Sequence, residues 1–233
     1  SINPKVSIRM QANDNLVLRG SLSTSFREPS LSQLNQSSVG LQGIQDFDAA
    51  GNAVGQPSFI RIAQAYSSDL IPEESTNMNI GAIWTPNDQF SAKFDYWSID
   101  YTDVITIESA QGKVIADPSG PDVVRLVDGT LIGVTTRYKN ASEIDTDGYD
   151  IEASYNFESR LGDVTLGINR AHMLSYEIPA AGGGSKDVLG LFNQDNFARS
   201  LPETKTVISA SLVNGQHSLA AFYRMVSDYK TTN

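Results

Sequence analysis

The sequence lacks cysteine, which excludes disulfide bonds and thiolate metal sites. It is also poor in basic residues: 17 Lys and Arg stand against 27 Asp and Glu, giving a formal net charge of −10. Binding to nucleic-acid phosphates requires a basic footprint, so this charge argues against a nucleic-acid partner. Long apolar runs are missing too, because no stretch approaches the roughly 18 consecutive residues of a transmembrane helix.

Residues for catalysis are scarce as well. The two histidines, His172 and His217, lie in neither a G-x-S-x-G nor an H-E-x-x-H motif. Residues 182–185, Gly-Gly-Gly-Ser, lack the lysine and the strand–loop–helix setting of a phosphate loop, and we interpret them as a loop tip. Residues 145–150 superficially resemble a calcium loop, but Tyr149 occupies a ligand position, so a strand start is favoured. We predict a protein that is not an enzyme, with no cofactor and no metal site.

What the sequence does contain is alternation of polar and apolar residues with period two, as in Lys93, Phe94, Asp95 and Tyr96. This period is typical of half-buried strands, and amphipathic helical patterns are nearly absent. A soluble sheet would alternate in the same way. The alternation predicts an all-β protein with eight strands, at residues 4–12, 15–26, 76–85, 89–107, 146–157, 162–176, 203–213 and 216–229.

The connections between these strands alternate strictly between short and long. The short ones are at 13–14, 86–88, 158–162 and 213–215, and the long ones are at 27–75, 109–145 and 177–202. In an antiparallel meander this order places every tight turn at one end of the sheet. Short periplasmic turns opposite long extracellular loops are typical of outer-membrane barrels, whereas soluble sandwiches rarely carry such loops.

The aromatic residues of the apolar parity form two groups. The group beside the tight turns consists of Trp84, Phe90, Tyr155 and Phe157. The group towards the long connections consists of Phe26, Tyr96 and Tyr149. Two such belts are typical of a wall that meets two membrane interfaces. Arg170 does not fit this pattern, because it follows Val164, Leu166 and Ile168 on the apolar parity. We expect that it either lies near the outer interface or marks a bulge that swaps the parity.

Three stretches carry sequence motifs. Residues 16–30 contain an L-x-L-R-x-S run followed by F-R-x-P-S. Residues 72–75 read P-E-x-S and lead into the long strand segment 94–105. Residues 148–152, downstream of Asn140, read G-x-D-x-E. In this order, the motifs resemble those of TonB-dependent outer-membrane receptors of Gram-negative bacteria.

The resemblance implies a barrel of about 22 strands with a plug in its lumen. Such receptors bind a scarce ligand outside the cell and import it with the TonB system. Nothing in the chain resembles the plug, and residues 230–233 do not end in a closing aromatic strand. We therefore expect residues 1–233 to be a partial barrel domain: an antiparallel meander forming part of a large transmembrane β-barrel in the outer membrane. Its expected partners are outer-membrane lipid, the plug of the same receptor, the TonB system through a part outside this chain, and a small ligand. The sequence does not identify whether this ligand is an iron chelate, a vitamin, a sugar or a peptide.

Two sets of residues are candidates for function. Charged residues of the polar parity are predicted to face the lumen and the plug, although a solvated face without a partner would look the same; they are Arg19, Lys93, Asp95, Asp150, Glu152, Lys205 and Arg224. Polar and aromatic residues towards the long loops are candidates for ligand contact; they are Arg27, Trp97, Arg137 and Tyr138.

Two alternatives remain open at this point. A self-contained eight-stranded barrel with a structural or adhesive role requires strand 4–12 to pair with strand 216–229. A soluble β-sandwich that binds carbohydrate requires the apolar parity to pack against a second sheet.

Overall fold

The computed structural model describes residues 2–179, 185–192 and 200–231. In chain order the elements are β1 (Lys5–Asn13), β2 (Leu16–Arg27), α1 (Leu31–Asn35), β3 (Ser38–Phe47), β4 (Ala53–Ala65), β5 (Glu73–Trp84), β6 (Phe90–Ile107), α2 (Ala110–Ala116), β7 (Val123–Arg125), β8 (Leu131–Ser159), β9 (Gly162–Pro179), β10 (Ser185–Asp187), β11 (Leu191–Phe192), β12 (Thr204–Asn214), β13 (His217–Val226) and β14 (Lys230–Thr231). No helix in the described ranges is long and apolar enough to cross a membrane.

The chain divides into two compact units. The first comprises Ser1–Phe26, Glu74–Thr102 and Glu143–Asn233, and the second comprises Arg27–Glu73 and Asp103–Ser142. In the first unit the strands follow the order β1-β2-β5-β6-β8-β9-β12-β13, with β1 and β13 at its two edges. The pairs β1–β2, β5–β6, β8–β9, β9–β12 and β12–β13 are antiparallel. The predicted eight-stranded meander is confirmed, although β8 begins at Leu131, well before residue 146.

The four tight turns lie at one end of this meander, as predicted. The N–H of Thr85 donates to the carbonyl of Asn15 at 2.8 Å, which joins the second turn to the first. The N–H of Asn156 donates to the carbonyl of Gln89 at 2.8 Å, near the end of β8. In the third turn, Gly162 approaches Val213 so closely that a Cβ atom there would lie 2.2 Å from the Val213 oxygen.

The two faces of the sheet have the predicted character. Antiparallel partners share a face, and the apolar face carries Leu18 opposite Met10, Phe94 opposite Ala82, and Leu166 opposite Tyr155. The side chains of the polar face alternate with these along each strand. Phe94 is 46% exposed and Ile80 56%, so no second sheet covers this part of the apolar face within the described residues.

The register also settles the position of Arg170. The irregularity between β8 and β9 falls between Asp147 and Gly148, beyond Arg170 along β9. Arg170 therefore keeps the parity of the apolar face, with Ile151 of β8 and Thr206 of β12 as its partners. A parity-swapping bulge is present, but it does not remove Arg170 from the apolar face.

Two connections that the sequence presents as long loops contain regular structure. In the second unit β3 pairs with β4 antiparallel, β4 with β8 parallel, and β7 with β8 antiparallel. A small core packs α2 against these strands; its buried members are Ile44, Ile60, Ala110, Val114, Leu131 and Val134. The third long connection, 177–202, lies partly outside the described residues, and its described part contains β10 and β11.

Candidate functional site: charged residues on the polar face

Five of the seven predicted lumen residues line one cleft on the polar face of the first unit. The cleft has a volume of about 350 Å³. It is lined by Arg19, Lys93, Asp95, Asp150, Ile151, Glu152 and Asn169. Lys205 and Arg224 lie on the same face, on β12 and β13, and both are exposed. The predicted residues are therefore on one face, and most of them are neighbours.

An ion pair between Arg19 and Asp95 crosses three strands of this cleft. The Arg19 Nε donates to Asp95 Oδ1 at 2.9 Å, and Nη2 donates to Oδ2, so the pair is bidentate. Gly81 of β5 is the strand partner of Asp95. A Cβ atom at Gly81 would lie 2.0 Å from Asp95 Oδ1 and 2.9 Å from the Phe94 carbonyl oxygen. Glycine at this position leaves the space that the ion pair occupies.

A second ion pair, Lys93 with Glu152 at 3.1 Å, joins β6 to β8. Both side chains are well exposed, so this pair contributes little stability by itself. Asp150 lines the cleft without an ion pair or hydrogen bond to the described residues. Two cations thus face three carboxylates, which leaves one negative charge in excess. The cleft is suited to receive a cationic group.

Trp97, a candidate for ligand contact, lies within β6, in agreement with the predicted strand 89–107. It lies on the polar face, paired with Asn79. Its indole covers Gly148 of β8, where a Cβ atom would lie 2.6 Å from the Trp97 Cζ2 atom. This contact fixes the indole against the strand, and its role in ligand contact stays a prediction.

Arg27 and Arg137 belong to the second unit, and each is engaged in an ion pair. Arg27 donates through Nε to the carboxylate of Glu73, which is 8% exposed and also accepts the N–H of Ile105 at 2.8 Å. Arg137 donates through Nη1 to Asp122 at 2.8 Å. Tyr138, the fourth loop candidate, is half-buried. Ligand contact by these three residues remains a prediction.

The Asp122 carboxylate also accepts from Lys113 at 2.6 Å, and Lys113 lies 2.5 Å from Glu108. The hydrogen bonds from Lys113 and Arg137 hold the pKa of Asp122 below its ordinary value, because both stabilise the ionised carboxylate. This network connects α2 to the segment before β7 and to β8.

The sequence did not indicate a second cleft, of about 490 Å³, in the second unit. Arg125 lines it and donates to both oxygens of Asp46, at 2.6 and 2.8 Å, and to the carbonyls of Pro118 and Gly129, each at 2.9 Å. The bond from Arg125 keeps the pKa of Asp46 below its ordinary value. Asp46 and Arg125 lie 79 positions apart, so no local pattern could have paired them. Within the described residues, no group of three His, Asp or Glu side chains could hold a metal ion.

The chain matches the family of the TonB-dependent receptor-like β-barrel over residues 1–233. None of the curated proteins compared with it is similar. The siderophore receptor PirA from Acinetobacter baumannii is 15% identical, with a TM-score of 0.59, over 97% of this chain and 30% of that one. A mutant of the ferric enterobactin receptor PfeA from Pseudomonas aeruginosa, in complex with enterobactin, is 16% identical, with a TM-score of 0.64, over 97% and 28%.

A variant of the FrpB iron transporter from Neisseria meningitidis is 14% identical, with a TM-score of 0.50, over 95% of this chain and 26% of that one. The chain thus spans less than a third of the length of each of these structures. At such identities the likeness shows the fold alone. This fold agrees with the antiparallel meander whose tight turns all lie at one end. The family match covers every residue, and the chain belongs to the TonB-dependent receptor-like β-barrel family, whose strands form part of a large transmembrane barrel in the outer membrane.

Proposed function

We propose that this chain is part of the barrel wall of an outer-membrane receptor that binds a scarce ligand outside the cell and imports it by TonB-dependent active transport. The observation that carries the proposal is the family match along residues 1–233. The ligand class we propose is an iron chelate. Its support is that the structural neighbours include a siderophore receptor and a ferric enterobactin receptor, at low sequence identity.

The polar-face cleft is the proposed contact with the plug of the same receptor. Arg19 and Lys93 are neutralised by Asp95 and Glu152, and Asp150 remains without a partner among the described residues. A lysine or arginine of the plug would complete this set of charges. In a hydrated lumen such a pair stays partly solvated, so it positions the plug without locking it.

The two alternative functions have less support. A self-contained barrel needs β1 to pair with β13, but these strands are the two edges of the sheet in the described part of the chain. A soluble sandwich needs a sheet packed on the apolar face, where Phe94 and Ile80 are exposed.

The test is uptake of radiolabelled iron by cells that lack the full-length receptor and by cells that carry it, each supplied with a panel of ferric chelates. We expect receptor-dependent uptake of at least one chelate, and loss of that uptake when TonB is deleted. Uptake that continues without TonB would contradict active transport. In a parallel assay with radiolabelled vitamins and sugars, TonB-dependent uptake of one of these, with uptake of none of the chelates, would contradict the ligand class and leave the transport class intact.

A further inference from the structure

The inference concerns Asn214, the one asparagine of the sequence that a glycine follows. Asn214 ends β12 and His217 begins β13, and the two residues are antiparallel partners. Gly215 and Gln216 therefore form a two-residue turn outside the ladder, and Gly215 has a φ of +58°. This turn belongs to the end of the sheet with the tight turns, which faces the periplasm in outer-membrane barrels.

The reactive groups of this turn are accessible and carry no other bonds. Asn214, Gly215 and His217 are all exposed. The side-chain amide of Asn214 and the N–H of Gly215 form no hydrogen bond with the described residues. A Cβ atom built on Gly215 would meet nothing within 4 Å, so the space beside the glycine is open. The carbonyl carbon of the Asn214 side chain and the backbone nitrogen of Gly215 are thus both available to react.

The asparagines of two other tight turns differ in this respect. The Asn13 Oδ1 accepts the N–H of Asn15 at 2.9 Å. The Asn87 Oδ1 accepts the N–H groups of Gln89 and Phe90, at 3.0 and 2.8 Å. Such side-chain turns hold the amide in place, and in both turns the following residue is an aspartate, whose Cβ crowds the backbone nitrogen. The turn between β12 and β13 has neither restraint.

His217 places a base beside the same turn. Because Asn214 and His217 are direct antiparallel partners, their side chains lie on one face, and the Cβ atoms of such a pair are about 4.5–5.5 Å apart. The His217 ring forms no hydrogen bond or ion pair with the described residues. Histidine is the side chain that changes its charge between about pH 5 and 8, and a neutral imidazole accepts a proton. A proton acceptor is thus within reach of the peptide unit that joins Asn214 to Gly215.

We propose that Asn214 is a site of spontaneous deamidation, in which the Gly215 nitrogen attacks the side-chain carbonyl carbon of Asn214 and His217 accepts the Gly215 amide proton. The bond from that nitrogen to the Asn214 Cγ forms, the bond from Cγ to the side-chain nitrogen breaks, and ammonia leaves with the proton that His217 returns. Glycine permits the attack because it carries no Cβ atom to crowd the nitrogen.

The second step consumes one water molecule. Water opens the cyclic succinimide at either of its two carbonyl carbons. Opening at one carbonyl gives aspartate, and opening at the other gives isoaspartate, whose main chain is longer by one methylene group. Both products replace a neutral amide by a carboxylate at the turn, and neither depends on the transported ligand.

The test follows the purified full-length receptor, folded in detergent micelles, through a warm incubation at neutral pH. Trypsin then releases residues 206–224 of the unfolded sample as one peptide, in which Asn214 is the only asparagine. Mass spectrometry with fragmentation locates the modification and separates aspartate from isoaspartate. We expect both products at Asn214, with isoaspartate in excess, before any product is detected at Asn13 or Asn87.

Three variants test the parts of the mechanism. His217→Gln should slow formation of both products by a factor of about three to ten, less than the roughly hundredfold effect of an enclosed general base. His172→Gln is the matched control and should leave the rate unchanged, because His172 pairs with Thr204 at the opposite end of β12. Gly215→Asp reproduces the Asn-Asp sequence of the other two turns, and aspartate tolerates a positive φ better than most residues. In this variant the products at Asn214 should fall to the level found at Asn87.

Absence of both products from the folded receptor, while the receptor unfolded in urea forms them at Asn214, would overturn the proposal. Aspartate without isoaspartate would overturn the cyclic route, because direct hydrolysis of the side-chain amide gives aspartate alone. An unchanged rate in His217→Gln, or an equal loss of rate in His172→Gln, would overturn the role of His217.

Discussion

Arg27 and Glu73 form an ion pair that joins the F-R-x-P-S segment at the end of β2 to the P-E-x-S segment at the start of β5. Two of the three stretches that resemble the family are thus in contact through their charged residues. Glu73 is the more buried partner, and its second oxygen accepts the N–H of Ile105 from β6. One carboxylate therefore connects the ends of three strands.

The first prediction concerns this carboxylate. Glu73→Ala should destabilise the second unit locally by about 1–3 kcal/mol, because it leaves the Ile105 N–H without its acceptor. Glu73→Gln should cost less, because the amide oxygen can still accept from Ile105. Hydrogen exchange of the Ile105 amide in the full receptor measures both effects. Equal exchange rates in the two variants would show that this bond does not protect Ile105.

The second prediction concerns Gly81. Gly81→Ala should displace the Asp95 carboxylate and break its ion pair with Arg19. We expect the free energy of unfolding to fall by about 1–3 kcal/mol, as it does when a packed site is overfilled. The matched control is Gly20→Ala on the neighbouring strand, where a Cβ atom would meet atoms no nearer than 3.6 Å. Combining Gly81→Ala with Asp95→Ala should cost less than the sum of the two, in a double-mutant cycle of denaturant unfolding. Strict additivity would exclude the clash.

The third prediction concerns the apolar face. Phe94→Arg should reduce the free energy of folding into lipid vesicles by about 1–3 kcal/mol, because its stacking on Tyr149 places Phe94 between the bilayer midplane and the outer aromatic belt. Asn156→Arg, on the exposed polar face of β8, should change it little. Titration of folding into vesicles measures both. A cost for Asn156→Arg as large as that for Phe94→Arg would contradict the assignment of faces.

The fourth prediction concerns pH and Asp122. Its pKa is lowered in the folded state, so its pair with Lys113 and Arg137 stabilises the second unit above the ordinary carboxyl pKa. That contribution is lost as the pH falls below about 4, through the lowered value. Limited proteolysis of the receptor from pH 7 to pH 3 should show cleavage between 103 and 142 rising at the acidic end. Asp122→Asn should raise cleavage at neutral pH and make the extent of cleavage depend less on pH. A pH profile of cleavage equal to that of the unmodified receptor would contradict this prediction.

The strands and their faces could be predicted from the sequence because alternation is a local property. Once Phe94 and Lys93 are neighbours in a strand, they must point to opposite faces. The tight turns could also be predicted, because an Asn-Gly pair such as Asn214-Gly215 favours a hairpin turn. In the structure Gly215 has the positive φ of +58° that such a turn requires. The charged set on the polar face follows from the same parity.

The partners within that set were decided by the tertiary structure. Arg19 and Asp95 are 76 positions apart, and their pairing depends on the register of β2, β5 and β6 and on the missing side chain of Gly81. The core of the second unit is another case, because Ile44 and Val114 meet only when distant segments of two connections fold together. Alternation decides which face a residue lies on, but only the register of strands distant in sequence decides which residue it contacts there.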